Sequence, residues 1–284
     1  MTQPRAIALT SLAMVAFASN SLLCRVALKH TQIDAASFTS IRLISGAMML
    51  ALIASIARGT RAGRGNWWSA LALFIYAAGF SYAYVSLTAA TGALLLFGAV
   101  QATMIGHGLW AGERLLRPQL IGLVIALSGL VGLLLPGLSA PPLLGSLLMI
   151  SAGIAWGLYS LRGRGAGDPT KVTAGNFMRA APLAAVLSAT MLGSASVDRA
   201  GVCLAVVSGA LASGIGYAVW YTALPALKAT TAATVQLSVP VIAALGAIAF
   251  LGETLTARLV LASMAILGGV ALVILEKPRP GSSE

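Results

Sequence analysis

Several polar and aromatic side chains lie within long apolar runs of this 284-residue sequence, and seven of them are candidates for binding a ligand. Amides and phenols can bind an ammonium or a carboxylate without net charge, and tryptophan and tyrosine rings offer a flat face to an apolar side chain or a cation. In a membrane such groups should face the protein interior, because lipid offers polar atoms no hydrogen-bond partner. The candidates for binding a small molecule are Asn20, Tyr82, Gln101, Trp156, Tyr159, Tyr217 and Gln236.

Gln101 and Trp156 are the strongest of these candidates. Gln101 lies near the middle of its run, and Trp156 lies too deep in its run for the aromatic belt at a membrane surface. Each of the seven also has a plain structural alternative. Buried amides often only bond a neighbouring helix, and aromatic residues at helical spacing usually pack.

Residues that could perform catalysis or bind a metal are not clustered in the apolar runs. All seven acidic residues fall in gaps, tails or run ends, and His107 is the only histidine within a run. The glycine-rich segment 163–168 lacks the Lys-Ser/Thr of a phosphate-binding loop. Two cysteines cannot define a disulfide framework. We therefore expect no enzyme activity, no catalytic residue, no metal and no cofactor.

The composition indicates that the solvent of this protein is lipid. Hydrophobic residues make up 58% of the chain and charged residues 9%, whereas soluble domains carry roughly 25% charged residues. The net charge of +11 would suit nucleic acid if the basic residues were clustered on one folded surface, but they lie in short gaps between apolar runs. We expect the lipid bilayer, and no nucleic acid, as a partner.

Ten apolar runs account for most of the chain. The length of each run is close to the about 20 residues that a helix needs to cross a bilayer. Residues 121–135 show no alternation of apolar and polar positions, which favours helices over barrel strands. Arg5 and the later Ala16-Phe17-Ala18 imitate a signal peptide, but the apolar run continues beyond Ala18, so we expect a helix there. The predicted spans are 6–28, 35–57, 68–87, 92–112, 117–136, 143–161, 172–192, 201–221, 230–250 and 256–275.

The distribution of lysine and arginine predicts the orientation of these spans. With both termini inside the cell, twelve basic residues fall on the cytoplasmic side and four on the other, as the positive-inside rule requires. The cytoplasmic set is Arg5, Arg58, Arg61, Arg64, Arg114, Arg117, Arg162, Arg164, Lys171, Lys228, Lys277 and Arg279, and the outer set is Arg25, Lys29, Arg199 and Arg258. Aromatic anchors are expected at cytoplasmic span ends, at Trp67, Trp68, Trp110, Trp220 and Tyr221.

A weak internal repeat divides the chain into residues 1–140 and 141–284. The segment 112–115, Gly-Glu-Arg-Leu, recurs as Gly-Glu-Thr-Leu at 252–255. Each half also carries an arginine about two turns into its second helix, Arg42 and Arg179. Because five helices per half is an odd number, equivalent helices cross the membrane in opposite directions. The sequence thus predicts an all-α integral membrane protein with ten transmembrane helices, arranged as two inverted five-helix repeats around a central cavity.

With these features the chain resembles the drug/metabolite transporter superfamily, in its EamA-type ten-helix branch. The resemblance rests on the duplicated five-helix unit, the Gly-Glu after the fourth and ninth helices and the arginine early in the second. Pro240 fits the family pattern in the second half, whereas Val100 stands at the equivalent position of the first. The resemblance implies that helices 1, 3, 4, 6, 8 and 9 surround the cavity, and every candidate residue lies on one of them.

Charged residues near or within the spans allow two interpretations. Arg42 or Arg179 could attract a substrate carboxylate, or each could bond backbone carbonyls or snorkel to the surface; we favour the structural interpretation, because both halves carry one on a peripheral helix. We interpret Glu113 and Glu253 as charged or capping groups ahead of helices 5 and 10.

The function implied by the resemblance is secondary transport. We expect an exporter of neutral, in particular aromatic, amino acids across the bacterial inner membrane by alternating access. An exporter of another small metabolite or drug with the same fold is the nearer alternative, and a membrane-embedded enzyme or lipid-handling protein is a distant one. Since no carboxylate lies mid-membrane to relay protons, we expect movement down the substrate's own gradient.

Overall fold

The computed structural model describes residues 2–56, 63–112, 115–137, 140–163, 168–227, 232 and 235–275, and their regular structure is helical throughout. Ten helical segments follow the ten predicted runs. They are α1 Gln3–His30, α2 Ala35–Ile56, α3 Trp67–Tyr84, α4 Ala89–Trp110, α5 Arg117–Leu134, α6 Leu143–Arg162, α7 Pro169–Thr190, α8 Arg199–Ala226, α9 Ser238–Leu251 and α10 Ala257–Leu275.

Seven of these helices are long and apolar enough to cross a membrane: α1, α2, α4, α5, α6, α8 and α10. The described part of α9 is shorter, with 14 residues. Large apolar side chains on the outer faces of α5 and α10, such as Ile121 and Leu261, are exposed. Water would not tolerate so extensive an apolar surface, whereas acyl chains cover it readily. The chain is a multi-pass membrane protein.

Local sequence signals begin and end several helices. The side chains of Asn66, Asp168 and Asp198 each accept a hydrogen bond from a backbone N–H in the first turn of the helix that follows, which satisfies a donor that the helix itself leaves free. At the end of α9 the backbone of Gly252 is left-handed, with φ of 61°, a conformation that favours glycine.

Helix α8 departs from regular α geometry in its middle. The turns over Val207–Ile215 are π-helical, between α-helical segments Arg199–Val206 and Gly216–Ala223. Gly209 in this stretch lies directly against the Arg42 carbonyl, so α8 and α2 meet backbone to backbone. Single π-helical turns are rare in proteins, and those that occur frequently lie at functional sites.

Among the seven helices long enough to span a membrane, α4 is the most buried, and the other helices pack around it or against one another. α2 packs on α7 and α5 on α10, while α3 and α4 pack on α6, and α1 packs on α8 and α9. Glycines allow several close approaches: Gly153 and Gly157 of α6 face the backbone of α4, and Gly122 and Gly269 face each other between α5 and α10.

The aromatic anchors divide into two groups. Trp67, Trp68 and Trp110 are well exposed, as expected of side chains at a membrane surface. The prediction for Trp220 is wrong, because this ring is buried and packs edge-on against Phe17 at 6.1 Å between ring centroids. Tyr221 is likewise packed against the core.

Candidate functional site

A narrow cavity of about 30 Å³ lies between α1, α3, α4, α6, α8 and the residues just before α9. Four of the seven sequence-predicted residues line it: Asn20, Trp156, Tyr217 and Gln236. A volume of this size holds only about one or two water molecules. The remaining lining residues are Phe17, Ser21, Tyr76, Phe80, Leu96, Phe97, Ala212 and Ser213.

Asn20 is the centre of a hydrogen-bond chain that joins four helices. Its Oδ1 accepts a bond of 2.6 Å from the Ser208 hydroxyl on α8, and its Nδ2 donates to the Tyr76 hydroxyl on α3 at 3.4 Å. The Tyr76 oxygen also accepts from Nη2 of Arg42 on α2 at 3.0 Å. A buried amide with partners on two other helices gives the cavity lining a polar group that is fixed in place.

Aromatic rings form another part of the cavity lining. Trp156 stacks on Tyr217 with ring centroids 5.2 Å apart and planes 19° apart, and on Tyr159 at 5.2 Å and 22°. Tyr76 tilts against Trp156 at 4.9 Å between ring centroids. The cavity lining therefore combines an amide and hydroxyls with flat aromatic faces, which suits a small molecule with both polar and apolar parts.

Three predicted site residues lie outside the cavity lining. Tyr159 is the outer ring of the stack, and its hydroxyl donates to Thr173 and accepts from Asn176. Gln101 is buried one turn beyond Phe97 on α4. Tyr82 lines a separate groove near the outer end of α3, together with Asp34. Since residues advance about 100° each around a helix, Tyr82 points well away from Phe80, two positions earlier.

Sequence reasoning missed Tyr76, Ser208 and Ser213 as site residues. Tyr76 precedes Phe80 by one helical turn, a spacing that could have placed both on the cavity side of α3. The serines carried no such signal, because residues five apart in an α-helix diverge by about 140°. The wider π-helical turn of Val207–Ile215 brings this pair toward one side, where Ser208 bonds Asn20 and Ser213 lines the cavity.

Arg42 is the largest fully buried side chain of the described residues, at 1% exposure. Its guanidinium carbon lies 4.7 Å from the Phe80 ring centroid and 5.2 Å from that of Tyr76. Its Nε and Nη1 have no protein partner among the described residues. Desolvating a charge costs several kcal/mol, and a buried cation–π contact returns about 2 kcal/mol. The expected bonds from Arg42 to backbone carbonyls are absent from the described structure.

Arg179 fulfils the structural interpretation that Arg42 does not. Its Nη1 donates to the carbonyl oxygens of Arg64 and Gly175 near the start of α7. A guanidinium bound in this way ties the segment before α3 to α7.

The comparisons with known proteins assign a family. Residues 143–275 match the EamA-like transporter family. The threonine/homoserine exporter RhtA of Salmonella typhimurium is 35% identical over 175 residues, which are 57% of this chain and 58% of that exporter. The chain belongs to the EamA-like transporter family.

Other similarities of this EamA-like protein concern its relatives and its fold. An uncharacterized protein of Pseudomonas aeruginosa is 58% identical over 282 residues, covering 99% of this chain and 98% of that protein. The Escherichia coli RhtA is 34% identical over 53% of each chain, so the match spans about half of that exporter. A protein crystal structure is similar in fold, with a TM-score of 0.67 at 20% sequence identity. The similarity covers 96% of this chain and 98% of the other.

A buried ion pair joins the ends of several helices in this EamA-like chain, at the side that the predicted topology places outside the cell. Nε of Arg25 on α1 lies 3.3 Å from Oε1 of Glu253, and its Nη1 donates to the carbonyl oxygens of Tyr84 and Val85 at the end of α3. Oε2 of Glu253 accepts from the backbone N–H of Ala89 at 2.9 Å. We name Arg25, Tyr84, Ala89 and Glu253 the outer cluster.

The position of Glu253 corrects its predicted role. This carboxylate caps the first turn of α4 rather than that of α10, so it acts across the fold and not along the chain. The related prediction for Glu113 lies outside the described residues, as do Arg164 and most of the glycine-rich segment 163–168.

Proposed function

We propose that this chain is a secondary exporter of neutral, in particular aromatic, amino acids across the bacterial inner membrane. The observation that carries the proposal is the composition of the cavity lining, which combines the Asn20 amide and hydroxyls with the stacked rings of Trp156 and Tyr217. This arrangement suits the two polar groups and the side chain of a zwitterion. The name of the RhtA relatives, threonine/homoserine exporter, adds hydroxylated neutral amino acids to the candidate substrates.

The proposed architecture is a pair of inverted five-helix repeats, residues 1–140 and 141–284, with ten membrane crossings and both termini in the cytoplasm. Gly112 and Gly252 supply one support, since both follow the end of a helix with positive φ, 93° and 61°. Asp34 and Asp168 supply another, since each accepts bonds from the first backbone N–H groups of α2 and α7 respectively.

The packing pattern supports the same symmetry. Under an exchange of α1–α5 with α6–α10, the pairs α2–α7 and α5–α10 each map onto themselves. The contact of α3 with α6 maps onto the contact of α8 with α1, and both are extensive. Repeats of this kind place the substrate between the halves and move it by their rearrangement.

The small volume of the cavity and the position of the outer cluster support alternating access. A cavity of about 30 Å³ is too tight for an amino acid, so the helices around it must separate before a substrate enters. Arg25 and Glu253 join α1, α3 and α4 to the α9–α10 connection on the proposed outer side. We assign this conformation to the part of the cycle in which the outer side is closed.

Uptake into liposomes tests the proposed function. The purified full chain is reconstituted and supplied with labelled tryptophan, phenylalanine, threonine, homoserine and alanine. We expect saturable uptake of at least one of them, lowered at least about tenfold by Trp156→Ala through loss of the stacking face. Trp68→Ala, at a 70% exposed tryptophan, is the matched control and should stay within about twofold of wild type.

Three outcomes would each contradict a part of this proposal. Uptake of all five amino acids equal to that of protein-free liposomes would reject amino acids as substrates and favour another metabolite or a drug. Equal loss in Trp156→Ala and Trp68→Ala would remove the cavity from the mechanism. Uptake that stops when a pH gradient is collapsed would contradict movement without proton coupling.

A further inference from the structure

The charge of Arg42 has no counterpart in the described structure. All acidic side chains of the described residues are engaged elsewhere: Asp34 with Ala36, Ser37 and Ser196, Asp168 with Thr170 and Lys171, Asp198 with Gln32 and Gly201, and Glu253 with Arg25 and Ala89. Arginine stays protonated in proteins. A buried guanidinium without an anion is thus an exception that calls for a partner outside the chain.

The three arginines inside this fold show what a satisfied guanidinium looks like here. Arg25 has a carboxylate and two carbonyls, and Arg179 has two carbonyls. Arg42 has one phenol, and three of its N–H groups, one on Nε and two on Nη1, have no protein partner among the described residues. Its cation–π contacts recover only part of the hydration that burial removes.

The position of Arg42 links this free donor capacity to the cavity. Tyr76 and Phe80, whose rings contact the guanidinium, are both cavity-lining residues. Ser213 lines the same cavity, and its buried hydroxyl also lacks a protein partner among the described residues. One orphaned hydroxyl, that of Ser213, therefore lines the cavity, and one orphaned cation, that of Arg42, lies directly behind its Tyr76 and Phe80 lining.

The backbone around Arg42 is held in place by close packing. A side chain at Gly209 of the π-helical turn would collide with the Arg42 carbonyl, and one at Gly46, one turn later on α2, would collide with Phe177. α2 consequently has little freedom to carry Arg42 to the lipid boundary. The Arg42 side chain therefore stays in the protein interior and does not snorkel to the membrane surface.

We infer that Arg42 is the anion-recognition residue of the cavity and binds the carboxylate of the transported molecule. Tyr76 is its hydrogen-bond partner in the present conformation, and the Ser213 hydroxyl is a second donor to the carboxylate. The inference rests on the proposed function for the identity of the substrate, and it narrows the substrate class to molecules that carry a carboxylate. A charge-assisted bond from a guanidinium is stronger than one between neutral groups. Opening of the cavity would exchange part of the Tyr76 contact for the substrate.

Melting of the detergent-solubilised full chain tests this inference without any transport. The probes are phenylacetate and phenylacetamide, which share a shape and differ in charge. Phenylacetate should raise the melting temperature of wild type, and phenylacetamide should not. Arg42→Met should abolish the shift while its own melting temperature without ligand equals or exceeds that of wild type, because replacing a buried unpaired charge by an apolar side chain of similar size relieves desolvation.

The matched control is Arg179→Met, which removes a guanidinium that backbone carbonyls satisfy. It should lower the melting temperature and keep the phenylacetate shift. In liposomes, an amino acid should compete with its own labelled form at least about tenfold better than the corresponding carboxamide, and Arg42→Met should erase that difference. Arg42→Lys should restore part of it.

The outcomes separate this inference from the proposed function. An Arg42-dependent phenylacetate shift without any amino acid uptake would reject amino acids as substrates and retain the carboxylate site. Two results would overturn the inference and leave the transport proposal standing. One is amino acid uptake with which the acid and the carboxamide compete equally. The other is an Arg42→Met variant that melts at a lower temperature than wild type and loses competition by the acid and by the carboxamide to the same degree.

Discussion

Helices α2 and α7 carry the same residue types at corresponding places and use them differently. Both begin with an aspartate cap, Asp34 or Asp168, and both carry an arginine about two or three turns further on. Arg179 ends on backbone carbonyls, whereas Arg42 ends buried between two aromatic rings beside the cavity. Two helices with matching caps thus hold their arginines differently, and the residues packed around each arginine determine whether its N–H groups are satisfied within the protein.

A second pair of residues sharpens this comparison between the Arg42 region and the Arg179 region. Asn20 joins Ser208 to Tyr76 beside Arg42, and Asn176 joins the backbone N–H of Asn66 to the Tyr159 hydroxyl near Arg179. Both amides are buried and both bridge helices, but only Asn20 lines the cavity. Changes at the two amides should therefore have similar effects on stability and different effects on transport.

The largest expected effect is that of Asn20→Ala on transport. The substitution leaves the Ser208 hydroxyl without its acceptor and removes one of the two donors to Tyr76, at a cost of about 1–3 kcal/mol in the free energy of unfolding. It also removes the amide from the cavity, so amino acid uptake should fall at least about tenfold. Asn176→Ala should cost a similar free energy and keep uptake within about threefold of wild type. Equal loss of uptake in both would contradict the comparison.

The contact of α8 with α2 gives the next largest effect. A Cβ at Gly209 would meet the Arg42 carbonyl, and backbone cannot move aside as a flexible side chain can. Gly209→Ala should destabilise the protein by about 1–3 kcal/mol, measured as thermal melting in detergent. The control is Gly193→Ala, where nothing lies within 4 Å of the added Cβ. A Gly209→Ala melting temperature equal to that of the control would show that α2 is not held as described.

A moderate effect is expected at the outer cluster. Glu253→Gln removes the ion pair with Arg25, so the outer ends of α1 and α4 should separate more often. A loss of about 1 kcal/mol in the free energy that holds these ends together would raise the separated population about fivefold. The neighbouring Cys24 is buried, and Cys203→Ser removes the exposed cysteine. In that background a membrane-impermeant thiol reagent added from outside should label Cys24 faster in Glu253→Gln than in the parent. Unchanged labelling would contradict a role of the outer cluster in closure.

The smallest effect is the pH dependence at the cap of α2. Burial raises the pKa of Asp34, but hydrogen bonds from Ser37, Ser196 and Ala36 outweigh it and leave the pKa below its ordinary value. A lowered pKa in the folded state stabilises the protein above about pH 4 and ceases to do so as the pH falls through the folded-state value. Asp34→Asn should therefore melt slightly lower than wild type at neutral pH and lose less stability on acidification. Melting temperatures of wild type and Asp34→Asn that fall in parallel as the pH is lowered would contradict this expectation.

Much of the fold was predictable because apolar runs and their punctuation are local properties of a sequence. The predicted run 35–57 became α2, Ala35–Ile56, and 143–161 became α6, Leu143–Arg162. The convergence of Asn20, Trp156, Tyr217 and Gln236 on one cavity was also predicted, because polar groups in apolar runs must turn inward.

The remaining features depend on contacts between distant segments or on helix geometry that composition does not reveal. Tyr82 was misplaced because its direction depends on the phase of α3. The π-helical turn that brings Ser208 and Ser213 toward the cavity has no clear sequence signature. Glu253 stands beside α10 in sequence and caps α4 in space, which only the folded chain reveals.

The most direct test of the account is a titration of the cavity itself. A variant with Trp67, Trp68, Trp110 and Trp220 replaced by phenylalanine keeps Trp156 as its single tryptophan. Addition of threonine, homoserine or phenylalanine should change its fluorescence saturably, and Asn20→Ala in the same background should weaken that response at least about tenfold. No saturable change with any neutral amino acid, or an identical response with and without Asn20, would contradict a substrate site between the amide and the aromatic stack.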